Sequence, residues 1–186
     1  MRSNPHLVTL RLAQLSDVAA CGALDGSYSA DHTWQLSQER PLFPGAPELS
    51  VALRGVRLPR PRSVTVPDPT PQLEAEWDST DLFLVAEVDQ VAGYACASIQ
   101  DGAARLDRLL VDTPYRRRGV ATELLGAVRA WAHENGLRCI VAAAPAKNYP
   151  AITLLRSRGY RICGYNERQF ASGEIALYLA QDLPSG

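Results

Sequence analysis

The sequence predicts an α/β (α+β) fold, a mixed central β-sheet flanked by helices, with a proline-rich insertion after the first helix. Three observations predict it. From Asp81 onward, short apolar runs are separated by compact turn signals, the pattern of a strand meander. Val120, Leu124, Leu125 and Val128 recur at helical spacing, and an unbroken apolar run at residues 139–144 follows that helix. Between residues 37 and 72, Pro41, Pro44, Pro47, Pro59, Pro61, Pro67, Pro69 and Pro71 interrupt any regular pattern.

Residues 8–12 alternate and read as a strand. Ser16-Asp17 is an N-cap signal for a short first helix carrying Val18, Ala19, Cys21 and Leu24. Residues 28–36 are polar and aromatic and fit helix or loop. Within the proline-rich stretch Leu49, Val51 and Leu53 alternate with small or polar residues. Because proline confines strands to sheet edges, this segment reads as an edge strand or hairpin flanked by loops. Pro71 opens a short helix at its first position, continuing to Trp77. Residues 82–88 and 91–99 form a hairpin around Asp89-Gln90, and Asp101-Gly102 turns into a strand at 104–111. A helix spans 119–135 and ends at Asn135-Gly136. Residues 139–144 are a central strand, 150–158 a helix stopped by Gly159, and 160–170 and 175–180 the closing strands. With no repeat and no interdomain linker, residues 1–186 read as one domain, the insertion occupying about 28–77.

Composition narrows the function. The chain is 46% hydrophobic and 21% charged with a formal net charge of -1. Those are values of an ordinary globular protein with no overall field to draw in nucleic acid or a membrane. Lys147 is the only lysine, so positive charge sits on arginine. Cys21, Cys96, Cys139 and Cys163 are widely spaced, with no C-x-x-C and no histidine at ligand spacing. They read as buried reduced thiols, and no metal is expected. Residues 1–10 lack the apolar core of a signal peptide, and no apolar run approaches the ~20 residues of a membrane span. A cytoplasmic location is expected.

The most informative stretch is LLVDTPYRRRGVATELL, Leu109 through Leu125. A strand enters a tight turn at Gly119 and a helix begins at once. Helix N-termini present unpaired N–H groups and the positive end of a dipole, which suits phosphate. Gly119 and Ala121 keep side chains out of the way, and successive amides of residues 117–122 can form a nest around two phosphates. The chain has neither G-x-x-x-x-G-K-[ST] nor G-x-G-x-x-G. It does carry R-x-x-G-x-A at Arg116, Gly119 and Ala121, preceded by Val111-Asp112 and Pro114-Tyr115. The remaining readings of the arginine run are a solvated turn or a nucleic-acid patch, and no aromatic interleaving supports the latter.

This loop resembles the signature Q/R-x-x-G-x-G/A of the GNAT superfamily of N-acetyltransferases. Downstream, Asn148, Ala151, Gly159 and Tyr160 resemble that family's N-x-x-A…G-F segment. The likeness covers roughly residues 82–179 together with 10–24, and AKNYPA with GEIALYLAQDL is most similar to a bacterial branch near the streptothricin-type acetyltransferases. The resemblance implies the GNAT fold and acetyl-CoA as cosubstrate. It places the cofactor along Leu109, Val111, Arg116, Arg117, Arg118, Gly119, Val120, Ala121 and Thr122, with Asn148 and Ala151 at the pantetheine arm. It also implies that the strand before the loop splays from the strand after the helix, pantetheine filling the gap. A backbone N–H at Leu110 or Val111 would then face the thioester oxygen. The acceptor would be a small-molecule or peptide amine, and the apolar residues of 170–179 would either pair two copies as a homodimer or close the sheet.

Acetyl transfer needs a neutral amine, a hydrogen-bond donor to the developing oxyanion and a route for the leaving thiolate. Asp107 is the candidate base, its neighbours Leu106 and Arg108 expected on the opposite side of the strand. The competing reading is an ion pair between Asp107 and an arginine. Glu87 and Glu76 are weaker candidates; the resemblance places His32 and Trp34 where the family has its acceptor-binding helices, against the readings of a surface histidine and a core tryptophan, and His133 reads as exposed. The tyrosine that many relatives use as acid is replaced by Leu155, leaving Tyr149, Tyr160, Tyr165 or unaided departure of a thiolate, whose ordinary pKa of ~8.5 permits it. The run Ala142-Ala143-Ala144-Pro145-Ala146 also lacks polar groups found in relatives. That feeds a rival reading as a catalytically silent acyl-CoA-binding module; an antibiotic-resistance acetyltransferase and a protein N-terminal acetyltransferase are further alternatives. Arg54, Arg57, Arg60 and Arg62 border the proline-rich turns and, if they line the cleft, favour an acidic acceptor.

Overall fold

A computed structural model describes residues 8–39 and 50–184. Pro41, Pro44, Pro47 and Leu49 lie outside the described residues, as does the start of the N-terminal segment read above.

The strands β1 (Thr9–Leu12), β4 (Leu82–Glu87), β5 (Val91–Gln100), β6 (Ala103–Val111), β7 (Cys139–Pro145), β8 (Arg161–Asn166) and β9 (Ala176–Asp182) form one sheet in the order β1-β4-β5-β6-β7-β9-β8. Every pairing is antiparallel except β6 with β7. The parallel pair requires a crossover, and α3 (Val120–Glu134) supplies it. Alternation along each strand divides the core. Leu82, Leu84, Ala95, Ala97, Ala104 and Leu106 join Val120, Leu124, Val128 and Ala132 of α3 and Ile152 and Leu155 of α4 (Tyr149–Ser157) on one face. Phe83, Val85, Tyr94 and Cys96 meet Val18 and Cys21 of α1 (Val18–Gly22) and Leu73 of α2 (Thr70–Ala75) on the other.

The insertion is a hairpin apart from the main sheet, β2 (Tyr28–Glu39) paired with β3 (Ser50–Val64). The hairpin alternative for the proline-rich stretch is therefore correct, whereas helix or loop for residues 28–36 is not. His32, Trp34 and Leu36 alternate with small polar residues, so this is a strand whose inward residues are aromatic or weakly polar. In the register, Ala30 faces Arg62 and His32 faces Arg57, so Leu58, Pro59, Arg60 and Pro61 bulge opposite Asp31. Both prolines thus fall where no ladder hydrogen bond is required. Pro71 stands one place later than expected, Thr70 being the first residue of α2.

β9 lies between β7 and β8, with Leu177 and Leu179 fully buried, so these apolar residues close the sheet. The cysteines divide: Cys21 and Cys96 are buried as expected, Cys139 is half-buried, and Cys163 is exposed. Cys163 faces outward because it occupies a bulge of the edge strand β8, between the pairs Ile162↔Leu179 and Gly164↔Tyr178.

Candidate active site

β6 and β7 hold together only through Ala104↔Ile140, Arg105↔Val141 and Leu106↔Ala142. Beyond Leu106 the two strands separate. The parting begins at a bulge, because Leu106 faces Ala97 and Arg108 faces Cys96, leaving Asp107 as an extra residue. The bulge reverses the alternation that follows. Leu106, Leu109 and Val111 pack on the α3 face, and Leu110 packs on the α1 face. Arg108 goes with Leu110 and reaches Glu76 at 2.8 Å, so it does not share the side of Leu106 as an unbroken strand would require. Asp107 pairs with Arg105, the ion pair weighed as its competing reading. Its side chain is 19% exposed while the residue as a whole is exposed, so solvent reaches its backbone at the mouth of the gap.

At the end of β6 the chain makes a 3₁₀ turn at Thr113–Tyr115 and enters α3 with Arg117 at φ 62° and Gly119 at φ 91°. These left-handed residues turn the peptide planes so that successive N–H groups point into one concavity. The amides of Thr122 and Glu123 turn back to the Gly119 carbonyl. Those of Arg117, Arg118, Gly119, Val120 and Ala121 find no acceptor among the described residues. The nest is therefore one residue shorter than expected, Thr122 having an internal partner. A Cβ on Gly119 would meet nothing within 4 Å, so the concavity is open. Unpaired donors at the end of a fifteen-residue helix, in open space, fit a pyrophosphate.

Arg116 takes a different part from the other loop residues. Its guanidinium donates to the carbonyls of Val111 at 2.9 Å, Ser27 at 2.6 Å and Asp25 at 2.8 Å. Thr113 donates to the Asp25 carboxylate at 3.0 Å, and the Asp25 amide donates to Asp112 at 3.0 Å. The Ser27 hydroxyl and amide, then the Thr113 hydroxyl, hold the Asp25 carboxyl below the usual carboxylate range. Residues 25–27 are thereby tied down over β6, and Gly26 fits there because a Cβ would come within 2.8 Å of Leu110. Sequence reasoning missed this loop, since its partners lie almost ninety residues away. Arg117 and Arg118 remain exposed, Arg118 lying over the Tyr115 ring at 5.6 Å.

The other lip of the gap is the end of β7 and the start of α4. The Asn148 side chain accepts from the Ala151 amide at 3.2 Å and so caps α4. Two helix N-termini thus sit at the C-terminal ends of the one parallel strand pair, where open sheets bind ligands. The hairpin leans over this lip: the Trp34 amide donates to the Ala146 carbonyl at 3.0 Å, and His32 and Trp34 stack on Tyr149 at 5.0 and 6.4 Å. Lys147 pairs with Glu174 at 2.7 Å. Tyr28 is half-buried near Glu174 and Arg62, and burial raises its phenol above the ordinary value.

The remaining candidates separate. Glu87 is held by Arg11, together with Asp17, at the far strand pair β1–β4. His32 pairs with Asp31 at 2.8 Å. His133 is exposed. Tyr160 is buried, its hydroxyl without a partner among the described residues and its pKa pushed up to about 12 by burial. Leu155 is part of the core beneath the sheet.

A parted strand pair with a phosphate nest at one lip and a capped helix at the other defines a protein that takes an extended, phosphate-bearing acyl carrier. Residues 54–160 match the acetyltransferase (GNAT) family, and the chain belongs to that family, whose members are acyltransferases using acetyl-CoA. The fold is similar to that of a nourseothricin acetyltransferase (24% identity, TM-score 0.80, covering 95% of this chain and 99% of that one). It is also similar to a protein of Bacillus anthracis str. Ames, assigned as a streptothricin acetyltransferase and bound to acetyl coenzyme A (17% identity, TM-score 0.71, covering 97% and 100%). A third similar fold is the ribosomal-protein-S18-alanine N-acetyltransferase of Escherichia coli (16% identity, TM-score 0.66, covering 97% and 96%). No curated protein sequence matches the chain.

Proposed function

We propose that the chain acts as a single-domain N-acetyltransferase, moving the acetyl group of acetyl-CoA to a primary amine of a small molecule or peptide by direct attack in a ternary complex. The observation that carries this reading is the set of unpartnered amides from Arg117 to Ala121, aimed into open space at the end of the strand that parts from β7. Acetyl-CoA supplies an activated thioester; the chain's own residues supply position and charge. The amides of 117–121 and the positive end of α3 receive the pyrophosphate. Leu109, Leu110 and Val111 on one lip, and Asn148 with Ala151 on the other, flank the pantetheine arm. The backbone N–H of Val111 donates to the thioester oxygen as charge develops there; that of Leu110 is turned to β5, because the Asp112 N–H bonds Ala92 and the direction repeats every second residue in the register Tyr94↔Leu110. Asp107, at the bulge, takes the amine proton directly or through water. Leu155 provides no acid, and Tyr160 is buried away from the gap, so the thiolate leaves without help from either. A cytoplasmic location accords with this cosubstrate.

The relatives point to two kinds of acceptor, an antibiotic in the nourseothricin enzyme and a protein alanine in the ribosomal-protein enzyme. Calorimetric titration of acetyl-CoA and desulfo-CoA into wild type and Gly119→Trp tests the reading. Wild type binds both and the variant neither, because the indole fills the phosphate concavity. Absence of binding to wild type would remove the acetyltransferase reading. Binding with no turnover on any amine would favour the silent module.

A further inference from the structure

Arg54, Arg57, Arg60 and Arg62 of β3 have no ion pair or hydrogen bond among the described residues. Their surroundings differ. Arg57 shares a cavity of about 470 Å³ with Asp31, Leu58, Pro59 and Pro61, so a carboxylate already offsets its charge. Arg62 lines a second cavity, of about 70 Å³, with Ala30, Thr33, Leu58, Val64 and Lys147. In that cavity Lys147 is matched by Glu174, whereas Arg62 has no ion pair among the described residues. One positive charge without an ion pair among the described residues therefore borders a small space that Thr33 also lines. At roughly 30 Å³ per water, the space is of the size of a small polar group such as a carboxylate.

The cavity also lies in the right place. Val64, on its wall, pairs with Tyr28. Two residues further along β3's continuation, Val66 meets Gly26, which in turn rests on the Leu110 side chain. The opposite wall is Lys147, next to the Asn148 cap of α4. The cavity thus adjoins the α4 lip of the β6–β7 gap through Lys147, and the chain from Val64 to Val66 and Gly26 leads from its wall to Leu110 on the other lip.

We infer that Arg62 and Lys147 form a carboxylate subsite of the acceptor cleft, so that the acceptor is a primary amine that also carries a carboxylate. This rests on the acetyl-transfer reading. Arg62 is the specificity-determining member: its planar fork matches a carboxylate in two hydrogen bonds, while Lys147, its charge offset by Glu174, contributes an N–H donor.

The test uses matched amines that differ only in the carboxylate, β-alanine against β-alaninamide and 4-aminobutyrate against its amide, with spermidine as a polycation. Release of free CoA from acetyl-CoA is followed for wild type and Arg62→Gln. The acid members are expected to exceed their amides in kcat/KM by about tenfold or more, the effect of a charge-assisted hydrogen-bond pair. Arg62→Gln is expected to erase that preference through KM, while leaving the amide members and the calorimetric Kd of acetyl-CoA within about twofold. The subsite is overturned if wild type uses acid and amide equally, if spermidine is the best acceptor, or if Arg62→Gln keeps the preference. It is also overturned if acetyl-CoA binds normally yet the acids are neither acetylated nor bound. If acetyl-CoA itself does not bind, the acetyl-transfer reading falls first and takes the subsite with it.

Discussion

Arg116 and Gly119 do opposite jobs within four residues. The Arg116 guanidinium donates to three backbone carbonyls, so its charge fixes the chain around the phosphate nest and is not aimed into it. Hydrogen bonds from a charged donor are worth about 1.5–3 kcal/mol each when buried, less where water competes. Arg116→Ala is expected to cost about 3 kcal/mol in urea denaturation. Arg117→Ala and Arg118→Ala, at exposed positions, are expected within about 0.5 kcal/mol of wild type. A reversed order would mean that the clasp on residues 25–27 contributes little. Gly119 has no neighbour for a Cβ to strike, so a small side chain there is opposed by backbone strain alone at φ 91°. Gly119→Ala is expected to cost about 1–2 kcal/mol and to weaken acetyl-CoA binding, with both effects read from one thermal-shift series with and without ligand. The glycine, the helix periodicity after it and the strand before it are local, and the sequence displays all three. Two of the three partners of Arg116, Ser27 and Asp25, are brought in by the fold from 89 and 91 residues away, and no spacing in the sequence announces them.

Among the elements, the hairpin was the least legible. Its β3 half carries an alternation of Val51 and Leu53 that reads as strand, but β2 presents His32, Trp34 and Leu36 inward, and a histidine in that series disguises the period. The bulge at Asp107 was invisible for a different reason. A bulge is a property of two strands in register, and it inverts which of Leu106, Arg108 and Leu110 share a face. The hairpin is held to the rest of the molecule at few points, chiefly the stacks of His32 and Trp34 on Tyr149 and the Trp34–Ala146 hydrogen bond. Aromatic pairs contribute about 0.5–1.5 kcal/mol each beyond area burial. Tyr149→Ala should therefore loosen the hairpin without unfolding the sheet. Amide hydrogen exchange is expected to quicken across residues 28–37 and 51–64 and to stay unchanged in β4, β5 and β7. Quickening spread evenly over the main sheet would show that the hairpin is integral to the core.

At the scale of the whole molecule, the two faces of the sheet bury different chemistry, and this fixes how stability responds to pH. The α1–α2 face encloses Cys21, Tyr94 and Cys96, and burial raises the pKa of each, that of Cys21 to about 12 from an ordinary 9.0. The sign follows from linkage. An acid whose folded pKa is raised keeps its proton in the native state after the unfolded chain has lost it. Its contribution is complete below the unfolded value and is lost as pH rises from 9.0 toward about 12. On the acid side the carboxylates work the other way. Arg11 holds Asp17 below its ordinary value, so that contribution is present at neutral pH and lost as pH falls through the carboxylate range. The urea midpoint is therefore expected to decline at both ends. The alkaline limb is expected to flatten in Cys96→Ala even though that variant is less stable at every pH, since the slope counts protons and the midpoint counts packing. Thiol labelling separates the faces independently. Cys163, exposed in its β8 bulge, is expected to react with a disulfide reagent in the native protein, and Cys21 and Cys96 only as fast as the α1–α2 face opens. Prompt native labelling of Cys96 would mean that this face is open to solvent, and the alkaline limb would then need another cause.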